Sequence, residues 1–218
     1  MATICDTTAD AVADINDAST VLIGGFGMAG MPVALIDAVI DQGATDLTVV
    51  SNNAGNGDTG LAALLAAKRV RKVICSFPRQ SDSWVFDSLY RAGDIQLEVV
   101  PQGTLAERMR AAGAGIGAFY CPTAVGTPLA EGKEQRVIDG RTYILEYPLA
   151  GDVALIGAHQ CDRMGNLVYR KTARNFGPVM ATAATTTIVQ VREVVETGAL
   201  DPEAVITPSI YVDKVVAV

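Results

Sequence analysis

The chain is predicted to form an α/β domain, a mostly parallel sheet flanked by helices, and three observations carry that reading. Short apolar runs rich in β-branched residues alternate with helical patterns across the first 120 residues, the order that builds parallel βαβ units covered on both faces. Glycine-, asparagine- and proline-bearing turns follow several of those runs, which is where open α/β sheets bind ligands. Half of the 218 residues are hydrophobic and 19% are charged, a globular composition able to bury a substantial core. No repeat or low-complexity linker divides the chain, so one domain over residues 1–218 is expected.

The elements follow in order. Val21–Ile23 reads as a strand entering a glycine turn, and Pro32 then opens a helix to about Asp41 with Val33, Leu35, Ile36, Val39 and Ile40 on its apolar side. Leu47–Val50 is a strand, Ser51–Asp58 a polar turn and Leu61–Ala67 a helix. Val73–Phe77 and Ile95–Val100 read as strands, with helices over Asp82–Arg91 and Thr104–Ala112. Gly113–Gly117 is a flexible stretch and Thr127–Gly140 a polar surface excursion. Arg141–Tyr147 and Asp152–His159 read as strands joined through Pro148 and Gly151; a helix from Pro178 to Ala184 and strands over Thr186–Val191 and Ile210–Val216 complete the chain.

Composition excludes several function classes. A net charge of −7 gives no basis for binding nucleic acid or an anionic membrane. Cys5, Cys75, Cys121 and Cys161 form no CxxC pair, so neither a disulfide framework nor a metal site is expected. The N-terminus lacks the regions of a signal peptide, and no apolar run reaches the about 18 residues of a membrane span. A soluble cytoplasmic protein is expected.

Gly25-Phe26-Gly27-Met28-Ala29-Gly30 fits GxGxxG. Glycines allow close approach to the backbone, and the following helix would offer unpaired N–H groups to an anion. A dinucleotide site also needs an acid after the second strand, and Ser51-Asn52-Asn53 stands there instead. That amide cluster could fix a carboxylate or thioester carbonyl. It also fits plain turn chemistry, with Asp58 capping the next helix. Gln102 ends another strand on the same edge, while Thr104 and Glu107 fit a capping box. Arg79 is a candidate carboxylate clamp, with Ser81 a helix cap beside it. Tyr169–Asn175, with Arg170, Lys171 and Arg174, is a basic patch that could face phosphates or solvent. His159, the single histidine, has no GxSxG elbow to serve and no companion ligands.

Together these runs resemble one family. Gly24-Gly25-Phe26-x-x-x-Gly30-x-Pro32 after an apolar strand is similar to the signature of class I coenzyme A transferases, A subunit. Ser51-Asn52-Asn53-Ala54-Gly55, Pro101-Gln102-Gly103-Thr104-Leu105-Ala106-Glu107-Arg108 and Arg170-Lys171-x-Ala173-Arg174-Asn175-Phe176 match the same family in the same order, and the resemblance spans Asp17 to Val216. Ala18 departs from it, standing where the signature usually has glycine or asparagine. Asn56–Leu61 with Cys75–Ser83 resembles the 3-oxoadipate branch more than the acetoacetate branch.

The resemblance implies a coenzyme A transferase (NagB–RpiA-like) fold and transfer of CoA from succinyl-CoA to 3-oxoadipate in aromatic catabolism, the β-ketoadipate pathway. It implies a double displacement: a glutamate carboxylate attacks the thioester, and the resulting anhydride resolves into a glutamyl-CoA thioester that the acceptor opens. That glutamate sits in a Ser-Glu-Asn-Gly run of a homologous B subunit. None of the eight glutamates here has such neighbours, so the nucleophile is expected on a partner, in an α2β2 heterotetramer. The resemblance gives Asn52, Asn53 and Gln102 the task of orienting the acyl group and stabilising its developing charge. Gly24, Gly25, Phe26, Gly27, Met28, Ala29 and Gly30, with Lys171 and Arg174, would line the CoA or substrate pocket, and Arg79 would meet the second carboxylate of 3-oxoadipate. No permanently bound cofactor is expected; the CoA thioester enters as substrate. The rival readings are acetoacetate transfer on the same scaffold and a non-catalytic phosphate- or nucleotide-binding domain, against which the amide cluster counts.

Overall fold

In the computed structural model, which describes residues 1–218, the apolar side chains of the central strands divide between two cores. Val21 and Ile23 pack to one side and Leu22 to the other; Val49 and Val50, and Leu155 and Ile156, split in the same way. That is the period of two of a strand buried on both faces.

The elements are β1 (Thr3–Cys5), α1 (Thr8–Val12), β2 (Thr20–Ile23), α2 (Val33–Gln42), β3 (Leu47–Val50), α3 (Leu61–Ala66), β4 (Val70–Cys75), α4 (Trp84–Ala92), β5 (Gln96–Val99) and α5 (Gln102–Gly113). They continue with β6 (Phe119–Cys121), β7 (Gln135–Ile138), β8 (Arg141–Glu146), β9 (Gly151–Gly157), β10 (Gln160–Asp162), β11 (Leu167–Val168), α6 (Gly177–Ala183), β12 (Ala184–Val191), β13 (Glu193–Val195) and β14 (Lys214–Ala217).

Eight strands form one sheet in the order β1-β14-β12-β9-β2-β3-β4-β5, with every pairing parallel. α1 to α4 cover one face with residues such as Val12, Leu35, Leu61 and Phe86. α5 and α6 cover the other with Leu105, Met109 and Met180. Leu35 and Ile36 of α2 are fully buried, each contributing about 1.5–3 kcal/mol of transfer free energy. α2 stops at Gly43, whose φ of 98° lets its N–H reach Val39 O.

From β2 the chain winds outward through β3, β4 and β5. The second half starts on the opposite side of β2 at β9 and winds outward through β12. The strand order therefore reverses between β2 and β9, the place where open α/β sheets form their binding crevice.

The α/β architecture is as expected, and most boundaries of the first half fall within about three residues. The second half differs. Arg141–Tyr147 and Asp152–His159 are strands of two different sheets: β8 pairs with β6 and β7 in a small antiparallel sheet, and β9 joins the main one. The chain crosses between them past Pro148, where Leu149 N–H donates to Arg108 O at 2.9 Å. Thr127–Gly140 contains β7, whose four residues are all exposed; with no buried face it shows no hydrophobic alternation. Ile210–Val216 opens as a 3-10 turn over Ser209–Tyr211, and β14 starts only at Lys214. No helix is long and apolar enough to cross a membrane.

Candidate functional site

Beyond β2 the glycine run folds into a tight turn. Phe26 N–H donates to Ala29 O at 3.0 Å and Ala29 N–H returns to Phe26 O at 3.2 Å. Phe26 and Met28 stand 53% and 52% exposed. Gly30 is dictated by its surroundings: its φ is +75° and a Cβ there would lie 2.4 Å from Ala173 O. Asn175 fixes both limbs of the turn. Its Oδ1 accepts Gly25 N–H at 3.1 Å and Phe176 N–H at 2.7 Å, while its Nδ2 donates to Ala29 O and Thr172 O, both at 2.9 Å.

The helix behind the turn does not present free donors to it. Gln190 Oε1, from β12, accepts Ala34 N–H at 3.0 Å and Leu35 N–H at 3.3 Å. The first-turn donors that would cradle an anion are satisfied inside the protein. This corrects the reading of Gly24–Pro32 as an anion cradle built on the helix terminus. Sequence reasoning missed Gln190, which carries no motif, and it gave Asn175 no role although Asn175 lies in a matched run.

The amide cluster lies over the ends of β3, β4 and β5. Asn52 and Asn53 are each 2% exposed. Asn52 Oδ1 accepts from Gln102 Nε2 at 2.7 Å and from Ser76 Oγ at 2.9 Å. Asn53 Oδ1 accepts Gly55 N–H at 2.8 Å, and its Nδ2 is buried without a partner. Ser51 Oγ is likewise buried and unpaired. With both carboxamide oxygens tied down, the nitrogens are the atoms left to act, so the cluster is a donor site. A buried donor without a partner costs about 1–3 kcal/mol, and Asn53 Nδ2 is such a donor.

Three capping expectations fail here. Asp58 does not cap α3, whose cap residue is Gly60 with no side-chain bond. Thr104 does not cap α5; that helix starts at Gln102 after Pro101, and Glu107 pairs with Arg110 at 2.9 Å instead. The earlier start places Gln102 in the first turn, with its amide on Asn52. Ser81 is not a cap either, because α4 follows Ser83.

The expected cations are distributed differently. Arg79 Nε donates to Asp87 Oδ1 at 2.7 Å and the side chain is 57% exposed, so its charge is already met by a carboxylate of this chain. Lys171 and Arg174 are exposed on a 3-10 turn beside Asn175. His159 follows β9, on the other side of β2 from the amides.

No glutamate lies among these turns. Glu98 bonds Lys72 at 2.6 Å and Arg108 at 3.1 Å. Burial opposes its ionisation, but those two cations hold its carboxyl below the usual range. Glu146 is buried on Lys133, Glu134 meets Tyr120, Glu193 meets Gln160 at 2.8 Å, and Glu196 meets Arg163 at 2.8 Å. Glu131 and Glu203 lie in the surface turns at Pro128–Ala130 and Pro202–Ala204. Each of the eight glutamates therefore lies away from the amide cluster.

Residues 5–218 match the family model for coenzyme A transferase. The chain is 68% identical over 213 residues to the A subunit of 3-oxoadipate CoA-transferase from Pseudomonas putida, covering 98% of this chain and 92% of the relative. It is 49% identical over 216 residues to the A subunit of a probable succinyl-CoA:3-ketoacid coenzyme A transferase from Bacillus subtilis (strain 168), covering 99% and 90%. Among solved structures, the acyl-CoA transferase YdiF apoenzyme of Escherichia coli O157:H7 superposes with a TM-score of 0.89 at 24% identity. All of this chain is covered in that match, and it spans 47% of the longer YdiF chain.

Proposed function

The chain belongs to the coenzyme A transferase family, and from that premise we propose that it is the A subunit of an enzyme moving CoA from succinyl-CoA to 3-oxoadipate. The observation that carries the reading is the polarity of the amide cluster. Asn52 and Asn53 have their oxygens anchored and their nitrogens left as donors, the arrangement that stabilises charge developing on a thioester or anhydride oxygen. Gln102 holds Asn52 in that orientation.

The attacking glutamate comes from a homologous B subunit, because every glutamate here lies outside the site. The unit is residues 1–218, and the working assembly is a cytoplasmic α2β2 heterotetramer. The turn from Gly24 to Gly30 forms one wall of the shared pocket, with Lys171 and Arg174 at its rim. The CoA thioester is a substrate and no resident cofactor takes part. The identity to a 3-oxoadipate enzyme exceeds that to a 3-ketoacid enzyme, which favours the dicarboxylic acceptor.

The test is to assay the chain with its B subunit on 3-oxoadipate and on acetoacetate. A kcat/KM for 3-oxoadipate at least about tenfold above that for acetoacetate is expected, the discrimination worth about 1.4 kcal/mol. The reverse preference would assign the chain to acetoacetate transfer.

A further inference from the structure

Where the strand order reverses, between β2 and β9, the sheet edge opens into a cavity of about 690 Å³, within the range of small-molecule sites. The amide cluster does not line it. Its walls come from four separate ends: the glycine turn through Met28 and Gly30, His159 after β9, Arg192 after β12 and Val218 after β14, with Arg170 entering from the 3-10 turn. We infer that this cavity is a docking site for an anionic group of a substrate, with Arg170, Arg192 and His159 as its donors. The inference rests on the reading above, which it extends to residues outside the matched amide and glycine runs.

Charge argues for it first. Eight of the 17 lysines and arginines are ion-paired within the chain, and Arg170 and Arg192 are among the others. The acid next in sequence, Glu193, is turned away onto Gln160. Two unpaired guanidinium groups lining one cavity of a protein with net charge −7 suit a carboxylate or phosphate, which guanidinium binds in a planar fork.

Backbone placement argues for it second. His159 N–H donates to Val168 O at 2.8 Å and His159 O accepts Arg192 N–H at 3.3 Å, so two of the three donors are tied together at their backbones. A Cβ on Gly157 would lie 2.8 Å from Gly30 O, so β9 closes directly against the glycine turn.

Reach argues for it third. β9 and β3 flank β2, and two strand spacings put the cavity on the order of 10 Å from the amides. One substrate can present its reacting carbonyl to Asn52 and Asn53 and a remote charge to the arginines. Arg79, the cation first expected to take such a charge, is held by Asp87.

The anion has two available sources, the distal carboxylate of the acyl group and the phosphates of CoA. Isothermal titration of the purified full chain with adipate and with adenosine 3′-phosphate 5′-diphosphate separates them. Three proteins are compared: wild type, the double variant R170Q/R192Q, and R110Q as a surface control on α5. All three substituted arginines are exposed, and far-ultraviolet circular dichroism checks the folds. At least about tenfold weaker binding of one probe by the double variant, with R110Q unchanged, is expected; the probe affected identifies the source. No binding of either probe to wild type up to about 10 mM, or equal binding by the double variant, overturns the inference. Neither titration needs the B subunit, so its outcome is separate from whether CoA transfer to 3-oxoadipate is observed.

Discussion

Asn175 holds Gly25 and Ala29 at once, accepting the N–H of the first at 3.1 Å and donating to the carbonyl of the second at 2.9 Å. One side chain thereby sets the width of the glycine turn from outside it, across 150 residues of sequence. Asn175→Ala releases both limbs. Asn175→Asp keeps the acceptor but sets a carboxylate oxygen against two carbonyls. Transfer should fall about 10²-fold in kcat for either variant, the cost of misplacing a substrate wall by about an ångström. The aspartate variant should be no better than alanine. Steady-state kinetics of the reconstituted enzyme check this, and an aspartate variant with near wild-type kcat would show that the donor half is dispensable.

Asn52→Asp replaces a donor with a charge while leaving an oxygen for Ser76 and Gln102 to meet. The fold should survive and kcat should drop about 10²–10³-fold, as when an oxyanion donor is removed. Thermal unfolding and kinetics measured on the same preparation separate the two effects. A parallel loss of stability and activity would mark Asn52 as structural.

Ala18, the one departure from the family signature, has a φ of 62°, a left-handed conformation that glycine and asparagine take readily and alanine does not. Its N–H donates to Thr45 O at 2.9 Å, and the neighbouring Asp17 accepts Thr45 N–H at 2.7 Å. Ala18→Gly should therefore raise stability by about 0.5–1 kcal/mol in urea unfolding, the relief of strain exceeding the added flexibility of the unfolded chain. Activity should not change. A destabilised variant would mean the strain is compensated elsewhere.

Asp162 should shape the acid limb of stability. Burial raises its pKa, but the Asn166 amide and the N–H groups of Asn166, Met164 and Gly165 bring it below the usual value. A depressed carboxylate contributes stability present above the unfolded value near about 4 and lost as pH falls through the folded one. The unfolding temperature should hold from neutrality to about pH 4 and then fall. Asp162→Asn should cost about 1–3 kcal/mol at neutral pH and flatten the acid decline. An equally steep decline in that variant would assign it to other carboxylates.

The parallel sheet was legible because Val21–Ile23, Leu47–Val50 and their partners are apolar on both faces and each is followed by turn residues. β7 was not, since a strand exposed on all sides leaves no pattern. The amide cluster was legible as three residues at strand ends. Its wiring was not: Ser76 and Gln102 meet Asn52 only once β4 and β5 lie beside β3. Gln190 and Arg192 end a strand 156 and more residues from the turn they support or face, and long-range pairing of that kind leaves no local trace. The pairing of Arg79 with Asp87 was not legible either, because it forms only once α4 brings the carboxylate, eight residues on, back to the turn.

The central claim, that this chain supplies the donors and its partner the nucleophile, is tested most directly by trapping the covalent intermediate. The chain is incubated together with its B subunit in succinyl-CoA without acceptor, quenched, and both polypeptides are weighed intact by mass spectrometry. The account predicts the added mass of CoA on the B subunit, none on this chain, and no transfer by this chain alone. A CoA adduct on this chain, or full transfer in the absence of the partner, would contradict it.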